Sequence, residues 1–454
     1  MACMPTHPFL RMPLHLLSLV LSQLDSTPSL ASAIFSHSSF YAAFYEDRDR
    51  IIRAILRRQI SPEIEPYAFA AYLAATTLGR SDPEEISEFL YQHVARVFER
   101  GASTEATSVE DLVGKSGPIN LSRANTLSRT HTIVNYFTRG FIRDTRTLAS
   151  KELGLKLEGT AAASSDEVFR INRAIYRYLL YCNLFRQPYD KYVNRAGSPL
   201  RFYFFRLFAP WVNEQLACVH DYFERVLSQA FDQVAAHDVK WGYMSIGWRS
   251  VAERNEYKQG YLLRGLEFLY HLDRADTYNK RLEILGDNPP RTQYMLGNIF
   301  RNHGSTNGLR VDYRHFWRQI DVVKRNGKRW IDCNWPSNGP DVHGSGPFRM
   351  WRASHEDCWH EDVTFHSDHA WLRRCGYVFW DFPQALMTEN QLKEFLSRGI
   401  RKAWLDHFRR NDGELKRKMR RSRKERAEIY KRGGRGYWSE GDLSQIVWTE
   451  GAPS

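Results

Sequence analysis

A chain of 454 residues has the length for two or three domains and a sizeable core. Its 13 Trp, 23 Tyr and 26 Phe, within a hydrophobic share of 43%, exclude a disordered chain. A formal net charge of +12 leaves an anionic partner open, although much of the basic excess falls near the C-terminus. Six scattered cysteines with no Cys-x-x-Cys pair exclude a disulfide scaffold and fit a reducing compartment, nucleus or cytoplasm. No stretch reaches the ~18 uninterrupted apolar residues of a membrane span, so no membrane association is expected.

The N-terminal stretch from Met12 to Phe44 carries a dense apolar pattern between helix punctuation points. Pro13 suits a first helical position, and Leu14, Leu16, Leu17, Val20, Leu21 and Leu24 cover more than one face of the helix after it. Asp25, Ser26, Thr27 and Pro28 break that helix. Leu30 to Phe35 make a second, and Phe40, Tyr41, Phe44, Ile51, Ile52 and Ile55 recur at helical spacing in a third. The leucine-rich segment after Arg11 also has features of a secretory signal, but His15 and Gln23 interrupt it and no small-residue cleavage site follows at once.

Three short helices in this order resemble an F-box. The family's opening, Leu-Pro-x-Glu-Leu-Leu followed by spaced aliphatics, is matched by Met12, Pro13, Leu14, His15, Leu16 and Leu17, then Val20, Leu21 and Leu24, with His15 at the acidic position. Its later cysteine-plus-aromatic pair has its nearest match in His37 and Phe40. The run Leu372-Arg373-Arg374-Cys375-Gly376-Tyr377-Val378-Phe379-Trp380-Asp381 is similar to F-box-like proteins of filamentous fungi, a likeness that names no substrate. The resemblance implies a Skp-type adaptor and a cullin scaffold as partners, with Pro13, Leu14, Leu16, Leu17, Val20 and Leu21 facing the adaptor. It implies no catalytic residue and no cofactor.

The expected fold is mainly α: a three-helix F-box-like module at 12–57, then an irregular helical body with a loop-rich, aromatic and His-rich subdomain. A helical connector covers 58–149, with a polar, flexible segment at 101–120 and a helix from about Pro83 to Arg100 behind a capping box at Ser81 to Glu84. Residues 121–149 read as mixed. A second capping box, Ser164 with Glu167, opens the helical body at 166–302, where Val168, Ile171, Ile175, Tyr178, Leu179, Cys182 and Leu184 follow at helical spacing. Pro210 marks a kink or a new helix within the apolar stretch 202–232, and one helix is expected over 261–281. On the helix after Pro210, the residues Glu214, Cys218, His220 and Asp221 read as solvent-face or satisfied core groups rather than a site. Periodicity fades over 303–411, apart from a closing helix at 391–408, and in the basic tail at 412–454 the run Lys416 to Arg426 reads as a nearly all-charged helix or as a tail that only looks helical. No internal repeat points to a common substrate-binding array.

Two constellations could carry other chemistry. His355, Cys358, His366 and His369 supply metal-ligand types in pairs separated by two intervening residues, which can give zinc two ligands from one turn, though the spacer between pairs is shorter than in a finger. His366 and Asp368, with distant His407, have the spacing of a two-histidine, one-carboxylate iron site, but no run of strands surrounds them. A metal-dependent enzyme or a structural-zinc protein is therefore one alternative. The basic run Lys416, Arg417, Lys418, Arg420, Arg421, Arg423 and Lys424 is a candidate nuclear-import segment and supports a second alternative, a basic nuclear nucleic-acid-associated protein. Phosphate contacts alone would give nonspecific binding, and no base-reading module accompanies them.

Overall fold

The computed structural model describes residues 12–77, 83–95, 119–153, 163–185, 204–205, 208–248, 255–290, 341, 345–355, 370–381, 389–410 and 413–449. The described residues are mainly α-helical, with one two-stranded sheet. The chain divides into two units, Met1–Thr138 and Arg139–Ser454.

In the first unit, α1 (Leu14–Ser22), α2 (Thr27–Ser36), α3 (Ser38–Glu46) and α4 (Arg48–Gln59) enclose a small core of Leu17, Leu21, Leu30, Ile34, Ala43, Ile51, Ile52 and Ile55. The expected third helix is two helices. Asp47, at φ −130° and ψ 27°, leaves the helical region and separates α3 from α4. Local hydrogen bonds set the other ends: Ser26 caps α2 by accepting from the Ser29 N–H at 3.2 Å, and His37 Nδ1 caps α3 by accepting from the Ser39 N–H at 3.1 Å. Ser18 Oγ donates to the Ala43 carbonyl at 2.9 Å, tying α1 to α3. Arg58 and Gln59, at the end of α4, donate to the carbonyls of Leu24 and Asp25 and hold the α1–α2 link.

Beyond the four-helix module, α5 (Glu65–Thr77) is apolar on all sides and buried along most of its length, as a helix with no polar face must be. The helix expected from Pro83 is α6 (Pro83–Leu90), which runs into a π-helical turn, Tyr91–Ala95. The cap expected at Ser81 and residues 101–118 of the segment expected to be flexible at 101–120 lie outside the described residues, while Ile119 is buried and Asn120 Oδ1 accepts from the Arg123 N–H at the start of the next helix. The stretch read as mixed is α7 (Leu121–Leu153), a single 33-residue helix.

The second unit takes the latter part of α7 and is built around α9 (Pro210–His237). Against α9 lie α8 (Ser165–Phe185), α10 (Val239–Tyr243), α11 (Glu256–Leu262), α12 (Leu266–Asp273), α13 (Tyr278–Leu285), α14 (Gly346–His355) and α15 (Ala370–Arg374). Pro210 takes the first turn of α9, where its missing N–H costs nothing. Every residue from Pro210 to Phe223 is buried, so the polar groups there are core groups and none forms a solvent face. The capping box at Ser164 and Glu167 is formed: the Glu167 N–H donates to Ser164 Oγ at 3.1 Å, and the Ser164 N–H donates back to Glu167 Oε2 at 3.0 Å.

One expectation fails here and one open alternative is decided. The helix expected over 261–281 is three helices, because Gly265 turns to φ +87° between α11 and α12, and Thr277 caps α13. Of the two readings of the basic C-terminal run, the helix holds, as α17 (Gly413–Lys431), and a hairpin of β1 (Gly434–Gly436) and β2 (Ile446–Trp448) follows it, antiparallel in the register Gly434 to Trp448 and Gly436 to Ile446. α17 packs along α10. Val239, Ile429, Trp438 and Ile446 form their shared core, and a Cβ on Gly242 would come within 2.5 Å of Arg426 Cβ. The closing helix expected at 391–408 is α16 (Glu389–Arg410), which packs on α15.

Candidate functional site

The leucines of α1 sort into two sets. Leu17 and Leu21 are buried in the module's own core, at 0% and 1% exposure, with Ser18 and Ser22 beside them. Pro13 is exposed, Leu14, Leu16 and Val20 are half-buried, and Leu19 is 45% exposed. Helical spacing puts Leu16, Leu19 and Val20 in one outward stripe. Of the six residues expected to face an adaptor, Leu17 and Leu21 therefore stabilise the module, and Leu19, which the motif comparison passed over, joins the outer set. The module exposes aromatic surface as well: Phe35 at the end of α2 is 83% exposed, and Tyr41 and Tyr45 stack on α3 with ring centroids 6.5 Å apart.

The candidate import segment is part of a folded helix. Lys416, Arg417, Lys418, Arg420, Arg421 and Lys424 are exposed on α17, whereas Arg423 is half-buried with its guanidinium 5.6 Å from the Trp248 ring centroid. Arg426, just beyond the predicted set, is fully buried. It donates to the carbonyls of Ala235 at 2.9 Å and Asp238 at 2.8 Å, and burial lowers its pKa to about 10, which still leaves it charged at neutral pH.

Two ionic layers surround the first half of α9. In the first, Arg170, Arg173 and Arg177 recur along one side of α8. Arg170 donates to Asp341 Oδ1 at 3.2 Å, to Asp381 Oδ1 at 2.7 Å and to the Phe379 carbonyl at 3.1 Å. Arg173 pairs with Asp341 and donates to Gln215 Oε1, and Arg177 donates to the Val212 carbonyl and to Asn213 Oδ1, both at 2.7 Å. Asp341, fully buried, also accepts from Gln215 Nε2 at 3.3 Å. Arg170 and Arg173 share Asp341, and neutral oxygens take up the Arg177 guanidinium, the kind of pairing and hydrogen bonding under which burying charge is tolerable.

In the second layer, Arg373 stands between two carboxylates, 2.7 Å from Asp221 Oδ2 and 3.5 Å from Glu214 Oε1. The Tyr377 hydroxyl donates to the same Glu214 oxygen at 3.1 Å. Burial pushes the Glu214 carboxyl up to about 7, against the pull of Arg373 and Tyr377. Arg373 holds its proton more firmly than usual, because the two acids together outweigh its own desolvation. Cys218, enclosed by the same groups, is raised by burial and by Glu214, so it is a thiol rather than a thiolate nucleophile.

No family model, no curated protein and no solved structure matches this chain.

The possible metal ligands divide in the same way. Cys358, His366, Asp368 and His369 lie outside the described residues, as do the side chains of His355 and His407. His220, Asp221 and Glu224 bring ligand atoms within 4.8 Å of one another, but Asp221 is already bonded to Arg373, and half-buried Arg225, which donates to the Asp221 carbonyl at 3.1 Å, is close by. A divalent cation there would compete with fixed guanidinium charge, so these residues read as part of the ionic core. The run from Leu372 to Trp380 is buried except for Arg374, which makes it a core feature of the second unit. Sequence reading passed over Arg170, Arg173, Arg177 and Asp341. The arginine spacing on α8 was the available signal, but a stripe of Arg on a helix ordinarily marks its solvent side.

Proposed function

We propose that this chain is a substrate-receptor subunit of an SCF-type cullin-RING ubiquitin ligase, docking a Skp-type adaptor through its N-terminal module and presenting a protein substrate from its second unit. The supporting observation is the outward apolar stripe of Leu16, Leu19 and Val20 on a module whose core is already filled by Leu17 and Leu21. Those inner side chains keep the module folded, which leaves the outer ones available for a partner. The chain's contribution to ubiquitin transfer is then proximity, raising the effective concentration of an acceptor lysine near an enzyme held elsewhere. On this reading the ionic layers around α9 are structural. The exposed cations of α17 are positioned for an import receptor, consistent with a nuclear as well as a cytoplasmic pool.

The test is co-purification with a Skp-type adaptor. Leu16→Asp together with Val20→Asp should abolish it while leaving melting unchanged, because a charge buried unpaired in an apolar interface costs several kcal/mol. Pro13→Ala should weaken it less. Leu17→Asp is the contrasting variant and should unfold the module itself. A wild-type chain that does not associate with the adaptor at micromolar concentrations of both would overturn the assignment.

A further inference from the structure

Besides the side it packs on α10, α17 has two unlike faces. One, with Met419, Ser422 and Glu425, lines a groove against the end of α9 and the hairpin. The other carries Lys416, Arg417, Arg420 and Lys424, all exposed and none of them in the groove lining. Lys416, Arg420 and Lys424 follow one another a turn apart with Arg417 beside them, so four cations share a line about 12 Å long. The nearby carboxylates stand off this line. Glu414 and Glu428 bound its two ends, with Glu428 held by Lys431 at 3.2 Å, and Glu440 of the hairpin lies toward Lys418 and Arg421 at 3.8 and 3.9 Å. Among the described residues, Arg417, Arg420 and Lys424 have no carboxylate partner. The cations also act on one another: burial and the Arg420 charge together lower the pKa of Arg423, a repulsion that a bound anion would relieve.

We infer that this line of cations binds the phosphate backbone of duplex DNA without reading its sequence. Four cations along about 12 Å give about one per 3–4 Å, close to the ~3.4 Å per charge that each strand carries along the duplex axis. An extended acidic peptide matches poorly, because its successive side chains point to opposite faces and one face offers a charge only every ~7 Å. A membrane surface calls for an apolar group beside the cations and a single strand for an aromatic one, and the line holds neither. Duplex RNA is recognised in large part through its 2′-hydroxyls, and no neutral hydrogen-bonding side chain stands among these cations. Arg417 and Arg420 can each hold a phosphate through two parallel N–H donors, while Lys416 and Lys424 act as point charges. The inference goes beyond the substrate-receptor reading and does not depend on it, and DNA would take these cations after an import receptor has released them.

The experiment is fluorescence anisotropy of the full chain with a labelled DNA duplex of about 20 base pairs, at about 50 to 200 mM KCl. Contact with about four phosphates should give a slope of log affinity against log salt between about −3 and −4, a loss of roughly a hundredfold across that range. A second duplex of unrelated sequence should bind within about threefold of the first. Arg417→Gln with Arg420→Gln should weaken binding at least tenfold at the lowest salt and make the slope shallower by about 2, at unchanged melting temperature. Arg274→Gln with Lys280→Gln removes the same charge from another exposed site and should change binding less than twofold. Polyglutamate, duplex RNA and phosphatidylserine vesicles, added at matched charge, should each displace the labelled duplex less well than unlabelled DNA. Absence of binding at the lowest salt, a slope near zero, equal effects of the two double variants, or displacement by any of the three competitors as strong as that by DNA would each overturn the inference.

Discussion

Glu214 shows how far a single residue's environment can depart from its sequence context. Its carboxyl is fully buried, its Oε1 is held by Tyr377 and Arg373, and its pKa is raised to about 7. The folded state therefore keeps a proton that the unfolded chain releases near the ordinary glutamate value of about 4.3. Between those pH values the folded state binds more protons, so stability falls as pH rises from about 4.5 to about 7 and then levels off. Glu214→Gln should flatten that slope, and above pH 7 the variant should exceed the wild type by on the order of 1–3 kcal/mol, read from urea midpoints across pH 4.5–8. An unchanged slope would assign the pH dependence to other groups. Arg373→Met should have the opposite effect, costing about 3–5 kcal/mol because it strands two buried acids. None of this geometry was legible in sequence. Glu214 meets Tyr377 across 163 positions, and Arg170 meets Asp341 across 171, in a stretch with no periodicity to flag it.

Elements were legible where punctuation and apolar spacing agree. Ser164 with Glu167 and Pro210 mark the starts of α8 and α9 because the signal is a local hydrogen bond or a fixed φ, which distant packing does not alter. Ser164→Ala should accordingly cost about 1 kcal/mol in urea denaturation. Glu167→Ala should cost more, since Glu167 Oε1 also accepts the Asp381 N–H at 3.0 Å and Oε2 pairs with Arg146. Equal losses would mean that the cap is the whole contribution. The 261–281 region misled because leucines 262, 266, 269 and 272 keep helical phase across the break at Gly265. α17 misled for a different reason. Its buried positions are Ser422, Arg426 and Ile429, so one side of the apolar stripe is itself a serine and an arginine, and nine basic residues read as a solvated run. An arginine can be a core residue when backbone carbonyls satisfy it, as those of Ala235 and Asp238 do here.

At the scale of the molecule, the basic C-terminal region is both a charged surface and structural cover, and the two roles can be separated by experiment. Removing residues 413–454 would strip Ile429, Trp438 and Ile446 from the core around Val239 and would free the Ala235 and Asp238 carbonyls that Arg426 satisfies. At about 1.5–3 kcal/mol for each large apolar side chain, the lost burial approaches the whole stability of an ordinary domain, about 5–15 kcal/mol. The truncated chain should therefore lose the cooperative melting of its second unit, in contrast to the small effect that an unstructured tail would give. Replacing only the exposed Lys416, Arg417, Arg420 and Lys424 by Gln leaves every buried contact of α17 in place and should keep the melting temperature within a few degrees. If the exposed cations bind an import receptor, that quadruple variant should leave the nucleus while remaining folded, and fluorescence microscopy of the tagged chain reads the result directly. Nuclear accumulation equal to the wild type would remove α17 as the import signal, and a truncation that melts like the full chain would show that the helix and hairpin contribute no cover.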